Sequence, residues 1–228
     1  MLRASRGRGR SAEAPRPPIG RDDDDDRPES ATQKLGFRAR ARYYDQLTGV
    51  FSISRRYFVI GAFDGALTVL GLILGAAPLS ENPALILSAG LATSVALAVS
   101  STFGAFEAER VEQDLQHQEV QTAMLRKVGG DKVAAHRFAT IVSSLVHGAA
   151  PLVAGLLPLA PFLLVPKVLP FADAVIVAAA MTLAFLFGLG VYLGTLTKRN
   201  VVTAGLRLVI VAMLTAGLTI LIGGHVFS

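Results

Sequence analysis

Hydrophobic and polar positions along this chain do not alternate at the short periods of a soluble fold; they fall into long blocks. Runs of about 20 predominantly apolar residues, the length needed to cross the hydrocarbon core of a bilayer as a helix, occur at 57–77, 84–106, 138–165, 174–196 and 201–224. Between them lie segments dense in charge or turn residues: Pro78 to Pro83, the polar stretch 107–137, Lys167 to Asp173, and Lys198-Arg199-Asn200. The third run carries Pro151, Pro158 and Pro161, which is expected to break it. Prolines are tolerated in such a helix where neighbours satisfy the freed carbonyls. The pattern predicts an all-α, polytopic membrane protein with about five transmembrane helices.

Residues 1–34 contain almost nothing to bury, so they are expected to form a disordered charged tail. No apolar segment precedes residue 57, so no cleavable signal peptide is expected. Residues 35–56 mix aromatics with Arg38, Arg40, Arg42, Arg55 and Arg56 and suit a basic interfacial segment on the lipid bilayer. The domain plan is therefore a tail (1–34), an interfacial segment (35–56), helices one and two (57–106), a cytoplasmic acidic helical segment (107–137), and helices three to five (138–228).

Composition sharpens this. Apolar residues make up 52% and charged residues only 17% of the 228, against the roughly 25% charge of soluble domains. The net charge of +5 sits beside the apolar runs, where it serves topology rather than nucleic-acid binding, so no nucleic-acid partner is expected. Basic residues gather before the first run, in 107–137 and at Lys198-Arg199, with only Lys167 on the opposite side. The positive-inside rule then puts the N-terminus in the cytoplasm and the C-terminus outside. Cysteine is absent, which removes disulfides, thiolate metal sites and cysteine nucleophiles.

Two features carry candidate chemistry. Asp64 lies about a third of the way into the first run, where a carboxylate is costly and usually faces a bundle interior, a water-filled path or a cation. It fits ion passage, or a structural hydrogen-bond acceptor, with Arg207 as the one distant candidate for an ion pair. Gly61, Gly65, Gly71 and Gly75 of the same run suit close helix approach. The second feature is the segment 107–119, EAERVEQDLQHQE. On a helix at 100° per residue, Glu109, Glu112, Gln116 and Glu119 share one stripe of oxygen donors, suited to Fe²⁺ or Mn²⁺. The alternative is a solvated helix laced by pairs such as Arg110–Asp114. His147, inside the third run, suits a proton relay or an imidazole bonded across helices. No P-loop, nucleophile elbow or zinc spacing is present. An intramembrane enzyme would have only Asp64 and His147 to work with, so an enzyme is not expected.

The stretch Asp64-Gly65-Ala-Leu-Thr-Val-Leu-Gly71-Leu-Ile-Leu-Gly75 resembles the Asp-Gly opening helix of the vacuolar iron transporter (VIT) family, in its short prokaryotic and archaeal branch. Ser100-Ser-Thr-Phe-Gly104-Ala-Phe-Glu107-Ala-Glu109 resembles that family's small-residue second helix running into an acidic cytoplasmic helix, and the proline-bearing third run and Gly205-Leu-Arg207 through Gly223 resemble its later helices. The resemblance covers about 55–224. It implies a homodimer in the plasma membrane that exports Fe²⁺ or Mn²⁺ from the cytoplasm, by proton exchange, with no permanently bound cofactor. It also implies Asp64 on the pathway and metal-gathering roles for Glu109, Glu112 and Glu119. Ser101 and Ala105 stand where better-known members carry Met and Glu, and the cytoplasmic segment is shorter than a full metal-binding domain. A scaffold whose cytoplasmic helix binds a partner is the alternative from another class.

Overall fold

The computed structural model describes residues 37–124 and 130–226; the expected tail 1–34 and residues 125–129 of the acidic segment lie outside the described residues. All elements described are helical. The first, α1 (Phe37–Thr48), stops at Gly49, whose left-handed φ of 65° turns the chain without a Cβ penalty. The Asp45 carboxylate then accepts the Phe51 N–H at 3.0 Å, serving one of the unpaired donors at the next helix start. Tyr44 lies 5.3 Å, ring to ring, from Phe138, which docks α1 on the third spanning helix.

Among the described residues, five helices are long and apolar enough to cross a membrane. They are carried by α2 (Val50–Ala76), α3 (Pro83–Met124), α4 (Gly130–Leu159, continued by a 3-10 turn Ala160–Leu164), α5 (Phe171–Thr197) and α6 (Val201–Val226). Helix α2 starts at Val50 rather than at the expected 57, so Arg55 and Arg56 belong to its first turns. The 42 residues of α3 rise about 63 Å, twice the thickness of a hydrocarbon core. The second span and residues 107–124 of the acidic segment are therefore one continuous rod, while residues 130–137 belong to α4. Helix α4 runs unbroken through Pro151 and Pro158, and regular α-helix ends only at Leu159, just before Pro161.

Lipid tails are as apolar as leucine, so helices in a membrane associate through close packing rather than the hydrophobic effect. Small residues make that possible here. A Cβ on Gly61 would fall 2.6 Å from the His147 carbonyl oxygen, and one on Gly65 only 2.4 Å from Pro151 Cα and O. Pro151 has no N–H to offer the His147 carbonyl, so the bare α2 backbone lies against the weak point of α4. Gly148 and Gly155 of α4 receive Thr102 and Ser94 of α3, and Gly190 of α5 meets Ala204 and Gly205 of α6. Helices α2 and α4 form the centre, each with 44% of its span buried, against 17% for α3 and 11% for α6. The core follows from this: Val59, Ala62, Ala66, Ala150, Ala154 and Leu186 in one cluster, and Val69, Ile73, Ile86, Leu159 and Phe162 in a second.

Candidate functional site

The packing of α2 fixes where Asp64 points. Ala62, Ala66 and Ile73 are fully buried, and at 100° per residue they lie within about 20° of the side directly opposite Asp64. Asp64 is accordingly exposed on the flank of the single chain, beside exposed Ile60, rather than in the bundle interior. It lies seven residues beyond Tyr57, about 10 Å along the helix axis. Among the described residues it has no hydrogen-bond or ion-pair partner. Arg207 is not that partner: it lines a surface cavity of about 820 Å³ with Arg199, Asn200 and Thr197 at the α5–α6 turn. Toward the far end, the same face of α2 is covered, since Gly71 and Gly75 lie against Thr219 of α6.

At the charged end of the bundle a polar relay links α2, α3 and α4. The Tyr57 hydroxyl donates to Glu109 Oε1 at 2.8 Å, and the Arg56 guanidinium lies 5.6 Å from the Tyr57 ring centre. The backbone carbonyl of Tyr57 accepts from His147 Nδ1 at 3.0 Å, and the two rings are 4.9 Å apart. A carbonyl only accepts, so the bond sets the proton on Nδ1 and leaves Nε2 as an acceptor in the neutral ring. His147 is thus an imidazole bonded across helices. The Gln113 amide donates to the His136 carbonyl at 3.1 Å and to the Thr140 hydroxyl, tying the acidic part of α3 to the start of α4.

Glu109 and Glu112 share a small cavity of about 230 Å³ with Gln113, Gln116, His136 and Ser143. Gln116 Nε2 donates to Glu112 Oε1 at 2.9 Å. Glu119, exposed about 10 Å further along the same rod, is not among the cavity's lining residues. Among the described residues no three His, Asp or Glu side chains come together in a way that could hold a metal ion. A single chain therefore offers pairs of donors, not a closed ligand set. Sequence reasoning did not find the roles of Tyr57, Gln113 and His136, whose partners on other helices are 52, 27 and 23 residues away. The one available signal was an amphipathic tyrosine at a span boundary, where its hydroxyl needs a polar partner.

Comparison with known proteins places these features in context. A model of the VIT family matches residues 55–128 and 116–224. An uncharacterized protein of the archaeon Methanocaldococcus jannaschii is 33% identical over 171 residues, covering 73% of this chain and 87% of that one. Both findings span the helices that carry Asp64, Glu109 and His147.

Proposed function

The chain belongs to the VIT family, whose members are membrane transporters rather than enzymes, and from that premise we propose that it exports Fe²⁺ or Mn²⁺ across the plasma membrane in exchange for protons. The observation that carries this reading is Asp64: a carboxylate within a membrane span, exposed on one flank of the chain and without a partner among the described residues. Against lipid a central Asp costs about 2.5–3.5 kcal/mol on insertion scales. A second copy of the chain on that flank takes Asp64 away from lipid and brings two carboxylates to one path, where a cation or a proton offsets their desolvation and mutual repulsion. The functional unit in this reading is a homodimer, with Asp64 lining the route of the ion.

Glu109, Glu112 and Glu119 gather metal at the cytoplasmic end. Carboxylate and imidazole donors without any thiolate suit Mn²⁺ and Fe²⁺ rather than softer ions. The bond from Tyr57 to Glu109 connects this entry to the helix bearing Asp64, so a change of charge at the glutamates reaches the pathway helix directly. The orientation, with the N-terminus in the cytoplasm, rests on Arg55, Arg56, Arg110, Arg137, Lys198 and Arg199 at one end against Lys167 at the other. A second reading, a scaffold whose α3 extension binds a partner, has in its favour the exposed Val111 and Leu115 on that rod. Reconstituted vesicles presented with Fe²⁺, Mn²⁺, Zn²⁺ and Ca²⁺ in turn separate the two. Transport predicts flux of Fe²⁺ or Mn²⁺ well above that of Ca²⁺, and protein-containing vesicles no leakier than empty ones to any of the four would refute it.

A further inference from the structure

Residues of helices α3 and α4 line a surface cleft with two contiguous parts. The deeper part is an open apolar groove of about 620 Å³, lined by Ala98, Phe103 and Phe106 of α3 and Ile141, Leu145 and Leu152 of α4, among others. The outer part is a polar pocket of about 460 Å³ that shares Phe106 and Ile141 with the groove and adds Arg110, Asp114 and Arg137. No α2 residue lines either part, so the cleft is separate from the Asp64 flank.

We propose that this cleft holds an anionic glycerophospholipid of the surrounding leaflet, its acyl chain in the groove and its phosphodiester between Arg110 and Arg137. Three features of the cleft select that occupant. Length is the first. From Ile141 to Leu152 the groove follows α4 for about 16 Å, close to the ~15 Å that one leaflet contributes to a 30 Å hydrocarbon core. Charge is the second. Two exposed guanidiniums and the Asp114 carboxylate leave the pocket one positive charge in excess, which one phosphodiester neutralises, and neither arginine has an ion-pair partner among the described residues. The third is Ser144, which lines the same groove and is 2% exposed, with its Oγ buried and unpartnered. A lipid brings ester carbonyls, the acceptor that such a hydroxyl lacks. The lipid then acts as a wedge between the acidic rod and α4, held at both ends.

Native mass spectrometry of the full chain, purified in mild detergent and titrated with phosphatidylglycerol or phosphatidylethanolamine, tests this directly. The parent protein should retain phosphatidylglycerol preferentially. Arg110→Gln/Arg137→Gln should weaken that retention on the order of tenfold or more. Ala149→Phe, which fills the exposed edge of the groove and leaves both arginines in place, should weaken it as well. Arg199→Gln, at a separate basic surface cavity, should leave it unchanged. Glycerol phosphate without acyl chains should not compete. Equal retention of the two lipids would overturn the assignment, as would retention unaffected by the double arginine variant or by Ala149→Phe. Competition by glycerol phosphate would show a free-phosphate site and would overturn it too.

Discussion

Replacing Gly65 by alanine adds one methyl group where the backbone of α2 lies directly against that of α4. That Cβ would lie 2.4 Å from both Cα and O of Pro151, which are backbone atoms that no rotamer change can move. Carbon atoms in favourable contact sit roughly 3.5–4.0 Å apart, so α2 and α4 would have to separate by about 1 Å along the whole central interface. Overpacking of this kind costs about 1–3 kcal/mol. The intrinsic gain from Gly to Ala in a helix, about 0.5–1 kcal/mol, offsets only part of it. The expected net loss is about 1 kcal/mol, at most about 2.5 kcal/mol. Gly104→Ala on α3 is the control, because nothing lies within 4 Å of its added Cβ and only the gain remains. Heating detergent-solubilised protein through a ramp and following the surviving monodisperse fraction by size-exclusion gives the two apparent midpoints. Gly65→Ala should fall below the parent and Gly104→Ala should equal or exceed it. A Gly65→Ala midpoint at or above the parent would refute the close crossing, and with it the orientation of Asp64, which that crossing fixes.

Other consequences follow from the same geometry. Tyr57→Phe deletes the bond to Glu109 and should cost about 1 kcal/mol in the same heating assay, with an unchanged midpoint counting against that contact. In the cysteine-free chain, single cysteines replacing Gln118 and Asn200 should react with a membrane-impermeant label only from the cytoplasm, and those replacing Ser80 and Ser228 from outside. External labelling at Gln118 would reverse the proposed orientation. Glu109→Gln/Glu112→Gln/Glu119→Gln keeps size and helix propensity and should lower transport at low metal concentration while expression holds. An unaltered metal titration would instead assign these residues to a solvated helix.

The spans were legible in the sequence because bilayer thickness imposes a length on every crossing helix, and apolar runs of that length are hard to mistake. Ends were less so. Arg55 and Arg56 look like interfacial residues, yet the left-handed Gly49 is where the helix begins, and the arginines ride on its first turns. Pro151 and Pro158 suggested breaks, but the helix continues through both, and at Pro151 the bare backbone of α2 at Gly61 and Gly65 packs against it. The facing of Asp64 was not legible from hydropathy. Helix α2 is apolar nearly all round, so no stripe marks its buried side, and the glycines indicate close packing without saying which neighbour they meet. The Tyr57–Glu109 and Tyr57–His147 contacts join residues 52 and 90 positions apart, a separation at which one sequence carries no local signal.

Metal flux through Asp64→Asn in reconstituted vesicles, measured with and without a pH gradient, tests the proposed ion path most directly. Asparagine keeps the size and hydrogen-bonding capacity of the side chain and removes only its charge, so an exposed, unpartnered residue should tolerate it structurally. The variant should elute and melt like the parent while Fe²⁺ or Mn²⁺ flux collapses under both conditions, and Asp64→Glu should recover part of it. Parent-level flux through a folded Asp64→Asn would contradict the proposed role of this carboxylate.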